Sequence, residues 1–366
     1  MKPSRWSVLG LLLTAAGASG ASAQVVGPVD SCNVIVSGEQ STSGYYNTCA
    51  AGDLARLDTI YIPYVVARAV YNSFGIGPPV VEPTGLDHII AGEADQRLQP
   101  SVMSIAPAAD VSAPAAAPAV LWNGWVNGRG LYSDYTAAGG GLDGPTATGI
   151  AGLDYKLTSK LTLGLLTTVE RSRLDSPLND YNSNNFGIGP YLGWVMTDNL
   201  VFSASAQRSW IDSDSTAGLL NFETDRVQAS AAINGYWYKD NWRFNPSLTL
   251  TWSKDWETET NGLFPDREIE IGILVPAVQL GKTFRLSDTT TVEPWAGAAM
   301  DVTFLNDVRV TGAGTTSDPN TDLRIQTGLN FGIGNNAQLA ITGEMAGVLL
   351  NTFDSYSIEA NLAVQF

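Results

Sequence analysis

A chain of 366 residues with a formal net charge of −16 has room for one large domain or two modest ones. The negative charge argues against nucleic acid and anionic lipid headgroups as partners and points to divalent cations or basic partners. One histidine and two cysteines leave little material for acid–base catalysis or zinc binding.

The N-terminus is that of an exported protein. Lys2 and Arg5 precede the apolar run WSVLGLLLTAA, and ASAQ supplies an A-x-A site, so residues 1–23 read as a signal peptide cleaved after Ala23. No later window of about 18 apolar residues occurs, which excludes transmembrane helices. Export puts Cys32 and Cys49 in an oxidising compartment, where a disulfide would close a loop of about 17 residues. Residues 24–104 otherwise lack a strong period. Within them, YIPYVVARAVYNSFGIGPPVVEP reads either as a short helix ending at the Pro pair or as extended segments. Residues 105–119 are Ala/Pro-rich, a composition that favours extended chain, and form a linker.

From residue 120 to 366 the texture changes. In WRFNPSLTLTWS, Trp242, Phe244, Pro246, Leu248, Leu250 and Trp252 alternate with polar residues. The same period of two runs through LRIQTGLNFGI, QLAITGEMAGVL and the terminal SYSIEANLAVQF. Sustained over about ten residues, it has the length of a tilted strand crossing a bilayer. Five short polar turns stand at Thr158–Lys160, Thr197–Asn199, Lys239–Asn241, Ser287–Thr289 and Asn335–Ala337. Longer polar loops fall near 133–145, 174–182, 212–223, 256–268 and 305–320, with a short one near 351–355. Trp194, Trp237 and Trp242 lie by the turns, and Trp210, Trp252 and Trp256 toward the loops, as two interfacial belts. These observations predict an all-β fold: a twelve-stranded antiparallel transmembrane β-barrel of the Gram-negative outer membrane, with a small N-terminal exported segment. A chain that stops on a strand implies that this strand closes against the first, since an open edge in lipid leaves amides unsatisfied.

Residues 120–366 resemble the autotransporter β-domain, the translocator of type V secretion. The likeness is carried by GIAGLDYKLTSKLTLGLL, FGIGPYLGWVMTDNLVFSASA, LGKTFRLSDTTTVEPWAGAAM and the C-terminal strand. It implies a monomeric barrel that carries its own N-terminal segment to the cell surface. Outer-membrane lipid, lipopolysaccharide, periplasmic chaperones and the barrel-assembly machinery are the expected partners, with Phe366 as the assembly signal. Two departures stand out. The family threads a helix through the pore just before the first strand, where this chain has its Ala/Pro linker. The family's Asn–Asn cleavage pair within that helix is also absent, which argues against self-cleavage.

No catalytic site, cofactor or metal is expected: His88, the sole histidine, lies upstream of the barrel, and the FGIG pieces do not continue into a nucleotide-binding loop. Period-two alternation turns Arg226, Arg243, Arg324, Glu293, Glu344 and Glu359 toward the lumen, with Glu170 and Asp301, as neutralising pairs or a polar eyelet. The acidic clusters Asp212/Asp214 and Asp255/Glu257/Glu259 read as solvated loops, or as calcium or lipopolysaccharide bridges. Two functions follow: a surface-displaying autotransporter-type barrel, or a stand-alone barrel acting as a narrow pore or structural envelope protein.

Overall fold

The computed structural model describes residues 33–36, 44–74, 121–137, 140–175, 180–215, 221–260, 266–311, 314–317, 320–334, 336–350 and 353–366. The signal-peptide segment, Cys32, His88 and the Ala/Pro linker lie outside the described residues. Twelve long strands form the barrel: β1 (Trp122–Ala137), β2 (Gly140–Thr158), β3 (Leu161–Leu174), β4 (Tyr181–Thr197), β5 (Leu200–Ser215), β6 (Asn221–Gly235), β7 (Trp242–Glu259), β8 (Arg267–Lys282), β9 (Thr290–Val310), β10 (Thr321–Ile333), β11 (Ala337–Ala346) and β12 (Phe353–Gln365). Short extensions follow β6 (Trp237–Lys239) and β8 (Phe284–Ser287). Each strand pairs antiparallel with its sequence neighbours, and β12 pairs with β1 through Arg129↔Glu359 and Val126↔Leu362. The ring is sealed where the Trp122 N–H donates to the Phe366 carbonyl (3.3 Å) and the Phe366 N–H donates to that of Trp122 (3.1 Å). Closure leaves no strand edge facing hydrocarbon, which is the condition for crossing a bilayer with strands.

The alternation sorts side chains by solvent. On β7, Phe244, Leu248 and Leu250 are exposed on the outside, while Arg243, Asn245, Thr251 and Ser253 are buried inside. One exposed aromatic belt lies toward the turn end (Trp122, Trp194, Trp237, Trp242, Phe366) and another toward the loop end (Tyr132, Phe186, Trp210, Trp256, Tyr356). The turns are tight. Between the β6 extension and β7, Asp240 and Asn241 both take positive φ (50° and 64°), the left-handed pair that matches the twist of a two-residue hairpin.

The strands run further than the sequence predicts. Residues expected as loop near 133–145 continue the ladder, with Ser133↔Gly144 and Asp134↔Asp143 in register and the Tyr132 hydroxyl donating to Asp143 (2.5 Å). Likewise β9 reaches Val310. Cross-strand pairing satisfies the backbone in water as well as in lipid, so the ladders continue past the bilayer.

Upstream, Asn33–Val36 and Gly44–Asn47 pair as an antiparallel hairpin and lead directly into a 26-residue helix, α1 (Thr48–Ser73). The part of the open segment that the structure describes, residues 61–73, is thus helical. Among the described residues, no helix is long and apolar enough to cross a membrane. Instead, α1 lies inside the barrel.

Candidate functional site

The seat of α1 is the feature that distinguishes this barrel interior, and the contacts fix its direction. Near the helix middle, the Thr59 hydroxyl meets Ser253 (2.9 Å), and Ile60 packs with Ile269, Ile271, Ile273, Val308 and Val310 toward the loop end. At its C-terminus the Ser73 hydroxyl donates to Thr162 (3.4 Å) and the Asn72 carbonyl accepts from Gln365, beside the turns. The helix therefore enters with its N-terminal side at the loop end and finishes at the turn end. At 1.5 Å per residue, 26 residues make a rod of about 39 Å, long enough to pass the hydrocarbon thickness.

From Thr59 to Phe74 every residue is buried or half-buried. Val65, Val66, Ala69 and Val70 are at most 1 % exposed. Gly193 makes room for them: a Cβ there would stand 2.2 Å from a Val70 methyl carbon. Pro63 lies within the helix and has no N–H, so the Thr59 carbonyl four residues earlier loses its helical donor. The wall supplies replacements: Gln228 Nε2 donates to it at 2.8 Å and the Thr251 hydroxyl at 3.1 Å. A helix-weakening proline thereby becomes a docking point for a buried carbonyl.

Polar side chains set the register of the lower half. Arg68 donates to Glu359 (Nη1, 3.0 Å) on β12 and to Asn330 (Nη2, 3.3 Å) on β10. Glu359 also accepts from Asn127 (2.8 Å), to which Tyr61 donates. Arg129 stacks over the Tyr61 ring, 4.3 Å from its centroid, and reaches Glu344 (3.3 Å).

The remaining charges singled out in the sequence pair across the wall. Arg324 closes on Asp301 (2.8 Å) and Glu344 (2.9 Å), and Gln326 adds a donor to Glu344 at 2.6 Å. Arg243 donates to Glu293 (2.8 Å), which also accepts from Asn330 (3.0 Å) and Thr283 (3.1 Å). Arg226 grips Asp255 with two 2.8 Å bonds. Asp255, read from sequence as part of an acidic loop cluster, is instead a buried partner in the wall. Glu170 accepts from Thr148 (2.7 Å), and Phe366 is exposed at the seam with its ring over Gly124. A cavity of about 90 Å³ remains between Tyr64, Arg68 and Tyr71 of the helix and Tyr236, Arg243 and Gln279 of the wall.

Sequence reasoning missed three features. The first is Arg68, the helix's link to the charged wall. The second is Asp154, buried and held by Asn123 (2.8 Å), Thr162 (2.9 Å) and Tyr191 (2.6 Å). The third is the inward apolar face of β8, whose signal was available: EIEIGILVPAV puts isoleucine and valine where an open lumen would want polar groups.

Twelve closed antiparallel strands, greasy outside and polar over most of the inside, define an outer-membrane β-barrel. The chain belongs to the autotransporter β-domain family, whose sequence profile, described as "Autotransporter beta-domain", matches residues 124–344. Among solved structures it is similar to the translocator domain of NalP from Neisseria meningitidis, at 14 % identity and TM-score 0.52, covering 67 % of this chain and 88 % of that one. It is also similar to the β-domain of the Bordetella autotransporter BrkA, at 13 % identity and TM-score 0.55 over 67 % and 100 % of the two chains. A third likeness is to the transport unit of AIDA-I from Escherichia coli, at 13 % identity and TM-score 0.54 over 70 % and 94 %. No curated protein matches the sequence. The protein resides in the outer membrane of a Gram-negative bacterium.

The expectation that the Ala/Pro linker takes the place of the lumen helix needs correcting. A helix does occupy the lumen, but it is drawn from residues 48–73, and residues 75–120 intervene before β1. The prolines near strand one bear on the linker alone and leave the pore open to a helix from further upstream.

Proposed function

We propose that the barrel anchors the chain in the outer membrane and displays its extreme N-terminal segment at the cell surface, with α1 as the tether through the lumen. The observation that carries this reading is the direction of α1, from the loop end at Thr59 to the turn end at Ser73. Outer-membrane barrels keep short turns in the periplasm and long loops outside. The displayed part is then the stretch upstream of Thr59 rather than all of residues 24–104, because residues 59–74 stay inside the barrel. Asn33 and Asn47 are register partners in the hairpin, and Cys32 and Cys49 are their near neighbours in sequence, which supports a disulfide stapling the displayed tip.

The chain reaches its place as a monomer after removal of residues 1–23, with chaperones delivering it and the assembly machinery reading the Phe366 strand. Residues 105–119 serve as the linker between the N-terminal segment and the barrel. No catalytic step is assigned. Protease shaving of intact cells, followed by an antibody against residues 30–50, tests display. Loss of the epitope with the barrel intact supports it, and full protection rejects it.

A further inference from the structure

The cavity beside the lower half of α1 has a chemistry that neither anchoring nor tethering uses. It measures about 90 Å³ and lies toward the turn end, between the helix and the walls of β6, β7, β10 and β12. A single water takes about 10–15 Å³ of such space, so there is room for a group of several heavy atoms.

The charges that face it are of one sign. Arg68 from the helix and Arg243 from β7 both line the cavity, whereas no aspartate or glutamate does. Their carboxylate partners, Glu359 and Glu293, are buried in the wall and do not form part of the lining. Pairing holds the guanidiniums in place without using every N–H. Arg243 gives Nε to Glu293 and Nη1 to Asn245 and Gln279, and its Nη2 has no acceptor among the described residues.

The neutral lining adds donors that lack acceptors. Asn234 and Asn361, 5 % and 1 % exposed, each bring an Nδ2 with no partner among the described residues. The Tyr71 and Tyr236 hydroxyls lie against each other and have no partner elsewhere. The amide oxygens nearby are already taken: Asn245 and Gln279 accept from Arg243, and Asn330 accepts from Arg68. Buried donors are costly to leave unpaired, so this lining favours an occupant rich in acceptors. The net charge of −16 weighs little here, because exposed charges are screened beyond about 8 Å at physiological ionic strength.

We propose that the cavity binds one small oxyanion of the sulfate or phosphate class, held jointly by α1 and the wall. Its oxygens accept from the Arg68 and Arg243 guanidiniums and from the Asn234 and Asn361 amides. Such an ion carries the acceptors that the spare donors need, whereas water must also donate. Because Arg68 belongs to the helix and the other three to the wall, the complete site exists only while α1 is docked. Occupancy therefore stabilises docking by mass action. The assignment does not depend on whether the N-terminal segment is displayed.

The test dialyses the full chain, purified in detergent, against labelled sulfate in chloride buffer at constant ionic strength. One saturable site per barrel is expected, with a dissociation constant on the order of 1 mM, and inorganic phosphate should compete for it. N234L/N361L removes two donors that have no protein partner and should bind at least about tenfold more weakly. R243Q/E293Q removes the wall cation together with its carboxylate, so no charge is stranded, and should abolish binding. R309Q alters an exposed arginine on the outer face and should bind as the wild type does. Heat-modifiable migration on gels checks that each variant is folded. Hydrogen exchange reads the helix: at sulfate ten times the dissociation constant, α1 amides should exchange about tenfold more slowly in the wild type and unchanged in N234L/N361L. No saturable uptake by the wild type leaves a water-filled cavity and overturns the proposal. So does undiminished uptake in folded N234L/N361L, or an α1 exchange rate that sulfate leaves alone in the wild type or slows equally in both proteins.

Discussion

The lumen has two unlike walls, and α1 touches both. Along β8 and the loop end of β9 the inner face is apolar: Ile271 and Ile273 are fully buried, with Ile269, Val275, Val308 and Val310 around them and Ile60 of the helix against them. Across β10, β11, β12 and β1 the inner face is charged, and the helix meets it through Arg68 and Tyr61. The apolar wall supplies non-directional adhesion and would accept the helix at several heights. The charged wall accepts it at one, because Glu359 and Asn330 lie where a single arginine can satisfy both. One wall keeps the helix inside; the other sets its position.

Breaking the apolar wall has the largest expected effect. Ile271→Asp would bury a carboxylate among isoleucines, where the nearest hydroxyl, that of its register partner Ser253, is already engaged with Thr59, and should weaken helix docking by about 4 kcal/mol. Single-barrel conductance in planar bilayers, low for the wild type, should rise to a steady open level. Conductance as low as wild type would mean that the helix does not depend on this wall. On the charged side, Arg68→Ala strands Glu359 and should cost about 3 kcal/mol. Adding Glu359→Gln should return part of that, since removing both members of a buried pair is cheaper than removing one. A double variant that conducts more than Arg68→Ala would contradict the pairing.

The contrast between the walls also marks what the sequence made legible. The strands, their turns and the seam at Phe366 follow from a period of two sustained over a bilayer's width, which is a local signal. The lumen helix left no such signal. YIPYVVARAVYNS has little contrast between faces because Val65, Val66, Ala69 and Val70 are enclosed by barrel on all sides, and Pro63 reads as a breaker. Its polar anchors, Arg68 with Glu359 and Thr59 with Gln228, are far apart in sequence, so no spacing brings them together before the barrel closes. The inward charges were visible as alternation, but their partners were not: Arg243 reaches past its neighbouring strand β8 to Glu293 on β9. The family's helix stands immediately before the first strand, where this chain has prolines, whereas its own helix comes from residues 48–73.

A steric change probes the lower half of the seat without touching charge. Gly193→Val puts its Cβ where a Val70 methyl now lies, and the facing backbone of β4 is fixed by its ladder, so the helix must yield. Overpacking of this kind costs about 2 kcal/mol. Flickering conductance is expected in place of a steady opening, because Arg68 and Ile60 still hold the helix. Adding Val70→Ala should quiet it. If the flicker persists in the pair, the clash is not its source.

The smallest effect tests how the helix middle is shared between the walls. In an ordinary exposed helix, replacing an interior proline by alanine stabilises by about 3 kcal/mol. Here Pro63→Ala would give the Thr59 carbonyl a helical donor, in competition with the bonds from Gln228 and Thr251. The wall donors would be left weaker or unpaired, and a buried unpaired donor costs about 1–3 kcal/mol. The two changes oppose each other, so the net shift in helix docking should stay under about 1 kcal/mol. In the background of Gln228→Leu with Thr251→Val the wall no longer competes, and the same substitution should regain most of the ordinary stabilisation. A full gain in the wild-type background, read as a matching fall in open probability, would mean that the proline is only a tolerated flaw. A gain that appears only after the wall donors are removed would mean that the freed carbonyl helps hold the helix in place.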